Sequence, residues 1–190
     1  MKNIILFGKP GAGKGTQAVL LRDAFQLVHI STGDLFRYNI SNNTSLGALA
    51  KSYMDKGDLV PDELTIKMLE AEVDANPDVG GFIFDGFPRT AAQAEALDVF
   101  LHCKKMSIRA TIALDVDEEV LVNRLLSRGK DSGRSDDQDE NKIRNRFAEY
   151  NKKTAPLIDY YKSQNKFYSI RGEGTVAKIS KQLTSLLHSL

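Results

Sequence analysis

Cysteine is almost missing from this 190-residue sequence. Cys103 stands alone, so no disulfide can close within the chain and no zinc site can be built from several cysteines. An excess of one charge is missing too. The 26 Lys and Arg residues against 25 Asp and Glu leave a formal charge of +1, which gives no general attraction to nucleic acid or to a membrane surface. A chain of this balance that binds an anion has to gather its positive charge locally. Long apolar runs are absent, so no membrane span is expected. Ile4 to Phe7 is too short for the apolar core of a signal peptide and runs directly into Gly8. A reducing compartment, the cytoplasm, is the expected location. At this length one domain with one good core is expected.

What the sequence does contain is an alternation. Asn3 to Phe7, Val28 to Ile30, Phe82 to Phe84, Ala110 to Val116 and Phe167 to Ile170 are short apolar runs ending in turn or polar residues. Continuous apolar runs bounded in this way read as strands buried on both faces, the habit of parallel sheets. Helical spacing lies between them. Ile179, Leu183, Leu186, Leu187 and Leu190 share a face, and Ile143, Phe147, Tyr150, Leu157 and Tyr161 mark a long helical region interrupted at Pro156. Together these predict a doubly wound α/β fold, with five parallel strands and helices on both faces. Two stretches break the rhythm. Residues 31–60 are helical in pattern and longer than one crossover helix needs, with Asn42-Asn43 and Gly57 as punctuation. Residues 127–137 are polar, with two glycines and three basic residues, and read as a loop that either is simply solvated or covers a phosphate.

The first strand leads into Gly8-Lys9-Pro10-Gly11-Ala12-Gly13-Lys14-Gly15-Thr16 and then into a helical pattern. Strand, Gly-x-x-x-x-Gly-Lys and helix make the setting of a phosphate-binding loop. Glycines let the backbone wrap an anion closely, the helix adds its positive N-terminal end, and Lys14 supplies a point charge. The strict pattern has Ser or Thr directly after the lysine; here Gly15 stands there and Thr16 follows one place later.

Other residues acquire meaning beside that loop. Ser31, Thr32 and Asp34 are natural helix caps, and Arg37 falls on the first turns of the helix they open, where it can meet a phosphate. Asp85 ends the third apolar run, the place of a carboxylate that holds Mg²⁺ or its waters; taken alone it is an Asp beginning a turn. Arg124 and Arg128 share a helix face, Arg134 follows in the polar stretch, and Arg146 sits on the next helix with Arg144 nearby. Any one of these would be a solvated arginine. Four around one polar segment, in a chain with a phosphate loop, point to phosphoryl chemistry. There is no candidate nucleophile or triad. His29, His102 and His188 show no ligand spacing and are assigned no role.

The form Gly-x-Pro-Gly-x-Gly-Lys-Gly-Thr resembles the adenylate kinase family, and so do Ser31-Thr32-Gly33-Asp34-Leu35-Phe36-Arg37, Gly57 to Asp62 and Gly81 to Thr90. Lys9 departs from the family's commonest form, which has a small residue there, and is expected to point away from the phosphates. The resemblance covers nearly the whole chain. It implies one kinase domain over 1–190, with a core of 1–30, 61–126 and 138–190, a helical AMP-binding insert at 31–60 and a short lid at 127–137. It implies ATP bound by Gly11, Ala12, Gly13, Lys14, Gly15, Thr16, Arg128 and backbone at Gly174. It places AMP against Thr32, Arg37, Asp58, Leu59, Val60, Gly86, Phe87, Pro88, Arg89, Gln93, Arg134 and Arg146. Adenine is then read by Thr32 and Gln93, and by backbone and an apolar wall at 58–60. Lys14, Arg89, Arg124, Arg128, Arg134 and Arg146 become the catalytic set, and Asp85 the Mg²⁺ residue, acting through water. The reaction implied is MgATP + AMP ⇌ 2 ADP in a monomer, with nucleotides as its only partners and no structural zinc, because the short lid has no cysteine. The alternatives are a kinase for UMP and CMP, a nucleotide sensor without catalysis, and a plain NTPase switch; the insert after Ile30 has no use in the last.

Overall fold

A computed structural model describes residues 1–190. Five strands form one parallel sheet: β1 (Asn3–Phe7), β2 (Val28–Ser31), β3 (Phe82–Asp85), β4 (Ile108–Asp115) and β5 (Phe167–Arg171), in the order β2-β3-β1-β4-β5. Each lies where an apolar run predicts it, and β4 begins two residues earlier than its run, at Ile108. Side chains alternate across the sheet as strand geometry requires. Ile4 and Leu6 face one core layer with helices α1 (Lys14–Phe25), α6 (Glu118–Ser132), α7 (Glu140–Glu149) and α9 (Val176–Ser189). Ile5 and Phe7 face the other, with α4 (Asp62–Asp74), α5 (Ala91–Cys103) and α8 (Leu157–Ser163). Both faces are therefore covered. No helix is long and apolar enough to cross a membrane.

The stretch 31–60 forms α2 (Thr32–Ser41) and α3 (Ser45–Met54). Ser31 caps α2 by accepting from the Asp34 amide, and Thr44 caps α3 by accepting from that of Gly47. These helices close a small core of their own around Phe36, Ala50 and Val60, to which Leu64 and Met68 of α4 also contribute. Gly47 is fixed by contact: a Cβ there would stand 2.2 Å from the Asn39 carbonyl oxygen. Gly47→Ala should destabilise this subdomain by about 2–3 kcal/mol through overpacking. Accelerated amide exchange over residues 32–54, with the sheet unaffected, is the expected readout.

Two expectations need correction. The polar stretch 127–137 is not a loop throughout, because α6 runs on to Ser132 and a 3₁₀ turn follows at Ser135–Asp137. The helical region before Pro156 breaks earlier than the proline itself, in a π-helical turn over Tyr150–Thr154.

Candidate active site

Because β1 lies between β3 and β4, the chain changes direction across the sheet at the carboxyl end of β1, the place where open α/β sheets bind ligands. A cavity of about 770 Å³ occupies it. It runs from Gly174, Val176 and Ile179 past the phosphate loop to Leu59, Val60 and Thr65.

Gly13 caps α1 in the left-handed conformation, φ 92°, so the helix starts at Lys14 with its N-terminus at the cavity. The Lys14 ammonium donates to the carbonyls of Gly8 (2.7 Å) and Lys9 (3.2 Å). Burial pushes its pKa down to about 8; Asp85 acts against this, and Arg89, Arg146 and Arg128 lower it further. The Lys9 side chain turns away to Glu118, 2.5 Å from its carboxylate. The loop interior is thus left to Lys14.

Asp85 ends β3, in register with Leu6 on one side and Ser31 on the other. Its carboxylate lies 3.4 Å from His29 Nε2 and close enough to Gly15 that an added Cβ would touch it. Burial raises the Asp85 pKa, but the neighbouring His29 and the charge of Lys14 outweigh it, so the carboxyl sits below its ordinary value. His29 therefore belongs to the site, contrary to its unassigned status in the sequence. The signal was its place two residues before Ser31 on the same strand, hence on the same face.

The opposite arm of the cavity is built by α2, the start of α4 and the turn after β3. Thr32 donates to the Gly86 carbonyl (2.9 Å). Arg89 Nε donates to that same carbonyl (2.7 Å), and the Arg89 amide donates to Gln93 Oε1 (2.8 Å). Gln93 Nε2 donates in turn to Asp62 (2.8 Å), so both ends of the Gln93 amide already have partners in the chain. Asp58 accepts from Asn145 (3.3 Å), which leaves Leu59 and Val60 as the apolar wall.

Arginines converge over the middle of the cavity. Arg128 makes a forked pair with Asp137 (2.6 and 3.0 Å), and Arg146 joins Asp137 (2.7 Å) and Asp136 (3.0 Å). Arg37 and Arg134 share Asp34. Arg124 reaches the Gly172 carbonyl at 3.5 Å, and Arg144 stands outside, paired with Glu119 and Glu140. Arg89 differs from the paired arginines: no carboxylate lies within ion-pair distance of it. Burial, and then the neighbouring Arg146, push its pKa down to about 10. Over the top, Ser135 donates to Asp55 (2.9 Å) and Asn145 to the Lys56 carbonyl (2.8 Å), so the 127–137 segment and α7 meet the 31–60 subdomain across the cavity.

A phosphate loop, an opposed ring of arginines and a helical subdomain closing over both narrow the possibilities to nucleotide phosphotransfer. The adenylate kinase family model matches residues 6–166. The chain is 63% identical to an adenylate kinase of Flavobacterium psychrophilum and 60% identical to one of Flavobacterium johnsoniae, in each case over 190 residues and the whole of both chains. It is 46% identical, again over the full length of both, to an adenylate kinase of Bacteroides fragilis. The chain belongs to the adenylate kinase family. It is a phosphotransferase that moves a phosphoryl group between ATP and AMP, and its cellular work is to balance the adenine nucleotides. The α/β sheet with its phosphate loop is the frame of that family, and the departure at Lys9 leaves the loop interior unobstructed because the side chain is held by Glu118.

Proposed function

We propose that the phosphate-loop arm of the cavity holds MgATP and the α2 arm holds AMP, with their phosphates meeting under the arginines. The observation that carries this reading is the convergence of Lys14, Arg37, Arg89, Arg128, Arg134 and Arg146 on one cavity, in a chain whose overall charge is nearly zero. On the donor side, Gly11 to Thr16 wrap the β- and γ-phosphates, Arg124 and Arg128 flank the chain of phosphates, and backbone at Gly174 lies along the base. On the acceptor side, Arg37 and Arg89 hold the AMP phosphate, while Thr32, Asp58 to Val60 and the Gly86-Phe87-Pro88 turn enclose adenosine. Gln93 reads adenine by exchanging one of its present partners. Arg134 and Arg146 bridge the two phosphates during transfer.

In the forward reaction an oxygen of the AMP phosphate bonds to the γ-phosphorus of ATP as the bond from that phosphorus to the β–γ bridging oxygen breaks, leaving two ADP. The residues do no covalent work. They align donor and acceptor and place positive charge where the moving group carries negative charge. Asp34, Asp136 and Asp137 occupy the guanidinium forks where phosphate oxygens would sit, so nucleotide binding exchanges one set of anionic oxygens for another. Contacts of Ser135 and Asn145 across the top exclude water, which would otherwise take the phosphoryl group.

The residues fit a nucleotide-borne Mg²⁺. Asp85 offers hard oxygens beside Gly15, and no group of three or more His, Cys, Asp and Glu side chains forms a cage; one carboxylate with waters and phosphate oxygens suits this ion. Bound there, Mg²⁺ supplies charge neutralisation on the β- and γ-oxygens. We read the enzyme as a cytoplasmic monomer, supported by both arms of the cavity lying within one chain.

Comparing AMP, CMP, UMP and GMP as acceptors in a coupled ADP assay tests the reading. AMP should exceed each of the others by on the order of 10² in kcat/KM, since a buried base-reading site left partly unpaired loses several kcal/mol. Comparable turnover of CMP or UMP would reassign the acceptor, and ATP binding without ADP formation would make the chain a sensor.

A further inference from the structure

The first turn of α4 carries two acids, Asp62 and Glu63. Glu63 is exposed and pairs with Lys67 four residues on (2.8 Å), an ordinary pair along one helix. Asp62 is turned the other way, toward α5. Its Oδ2 accepts from the Thr90 hydroxyl (2.8 Å) and its Oδ1 from Gln93 Nε2 (2.8 Å). Thr90 in turn caps α5 by accepting from the Gln93 backbone N–H (3.3 Å). Gln93 lines the cavity, whereas Asp62 and Thr90 stand behind it, outside the lining.

These contacts decide which way the Gln93 side-chain amide points. Its C=O and NH₂ have nearly the same shape, so packing does not choose between the two orientations. The partners do. A carboxylate only accepts, so Nε2 has to face Asp62. A backbone N–H only donates, so Oε1 has to face the Arg89 amide (2.8 Å). Turned over, the amide would set oxygen against oxygen at one end and N–H against N–H at the other. Gln93 is 2% exposed, so solvent does not repair that mismatch. After the bond to Asp62, Nε2 keeps a second hydrogen, and Oε1 can pass from the Arg89 amide to a ligand. Gln93 thus meets a base with a donor and an acceptor in one fixed order. Adenine answers with an acceptor at N1 and a donor at its 6-amino group. A 6-oxo purine reverses both, with a donor at N1 and an acceptor at O6. An amide held in the sense that suits the first cannot suit the second at the same place.

We propose that Asp62, steadied by Thr90, is a specificity-determining residue that locks the Gln93 amide in the sense that takes a 6-amino purine and refuses a 6-oxo purine. It is a positioning residue, because it acts on the base through Gln93. Its contribution is a repulsive one: it leaves the wrong base facing a donor with a donor and an acceptor with an acceptor.

The proposal rests on the reading of the α2 arm as the AMP site with Gln93 at the base. The measurement is the ratio of kcat/KM for AMP to that for inosine monophosphate, the 6-oxo counterpart, at saturating ATP. Asp62→Asn keeps the shape but can turn either its oxygen or its NH₂ to Gln93, so both senses of the amide become available. It should narrow the ratio about tenfold, by lowering transfer to AMP and raising transfer to inosine monophosphate, with KM for ATP unchanged. A merely structural role would lower both acceptors together and leave the ratio in place. Thr90→Val should narrow the ratio by a smaller factor and Thr90→Ser should restore it; this pair carries the test if Asp62→Asn does not fold. In a Gln93→Leu background, Asp62→Asn should change the ratio no further, since the group it orients is gone. A ratio unmoved by Gln93→Leu would overturn the placing of the base at Gln93, and the proposal with it. A ratio that Gln93→Leu moves and folded Asp62→Asn does not would overturn the proposal alone.

Discussion

Arg89→Ala is expected to reduce AMP phosphorylation by about 10³ in kcat/KM, with ATP affinity nearly retained. Arg37, Arg128, Arg134 and Arg146 each have a carboxylate partner in the chain, and Arg89 has none. Its pKa is pushed down to about 10 by burial and then by Arg146, with Asp85 and Asp136 offsetting this only in part, so at neutral pH the folded protein carries a guanidinium with no carboxylate at ion-pair distance. That charge is a cost without ligand and a binding site with one. Two results should follow from the same variant. Transfer to AMP collapses, and the nucleotide-free protein melts a few degrees higher, because removing an unpaired charge relieves the folded state. The sign is fixed by the direction of the shift. A base whose folded pKa is depressed destabilises the fold at every pH below that value, and the penalty fades only above about 10. Arg89→Lys should recover little activity, since a point charge does not reproduce the planar fork. A folded Arg89→Ala enzyme with near-normal transfer would show that the acceptor phosphate binds elsewhere.

The strands, the phosphate loop and Asp85 were legible because they depend on neighbours in sequence: an apolar run, a turn and a cap. The failures have a common cause, which is contact at a distance. Gly129 and Gly133 made residues 127–137 look like a loop. Yet Gly129 is buried inside α6, and a Cβ there would stand 2.7 Å from the Asp137 carbonyl oxygen; this glycine permits a close crossing instead of ending a helix. Pro156 announced a break, but the missing N–H and the crowded carbonyl act upstream, so the π-turn lies at 150–154. His29 was passed over because nothing near it in sequence is a ligand; its partner Asp85 comes from the neighbouring strand. Thr32 and Gln93 were read as facing adenine, and the sequence could not show that Gly86, Arg89 and Asp62 already engage them. Arg146 lies in the cavity wall and Arg144 is paired outside it, a difference set by packing rather than by neighbours in sequence.

Lys14→Met should lower phosphoryl transfer by about 10³, the range for removing one preorganised donor to a developing anion. A second observable follows from its charge. The ammonium is pushed down to about 8, mostly by burial, and the arginines add to the effect. ATP brings negative charge to the same place and restores the pKa toward its ordinary value. Binding must then take up protons wherever the free enzyme has lost them. At pH 9, where free Lys14 is about nine-tenths neutral, ATP binding should take up nearly one proton; at pH 7 the uptake from this group should be near zero. Calorimetric titrations in buffers of different ionisation enthalpy measure the number directly. Affinity for ATP should fall about tenfold for each pH unit above 8 in this window. The unliganded fold behaves oppositely. A depressed base costs stability while it is charged, so stability rises as pH passes from about 8 toward 10.5, and then levels. Opposite slopes for binding and for stability, both abolished in Lys14→Met, would identify one buried ammonium as the source of each. Proton uptake that survives in Lys14→Met would assign the donor charge to another group and break the reading of the phosphate loop.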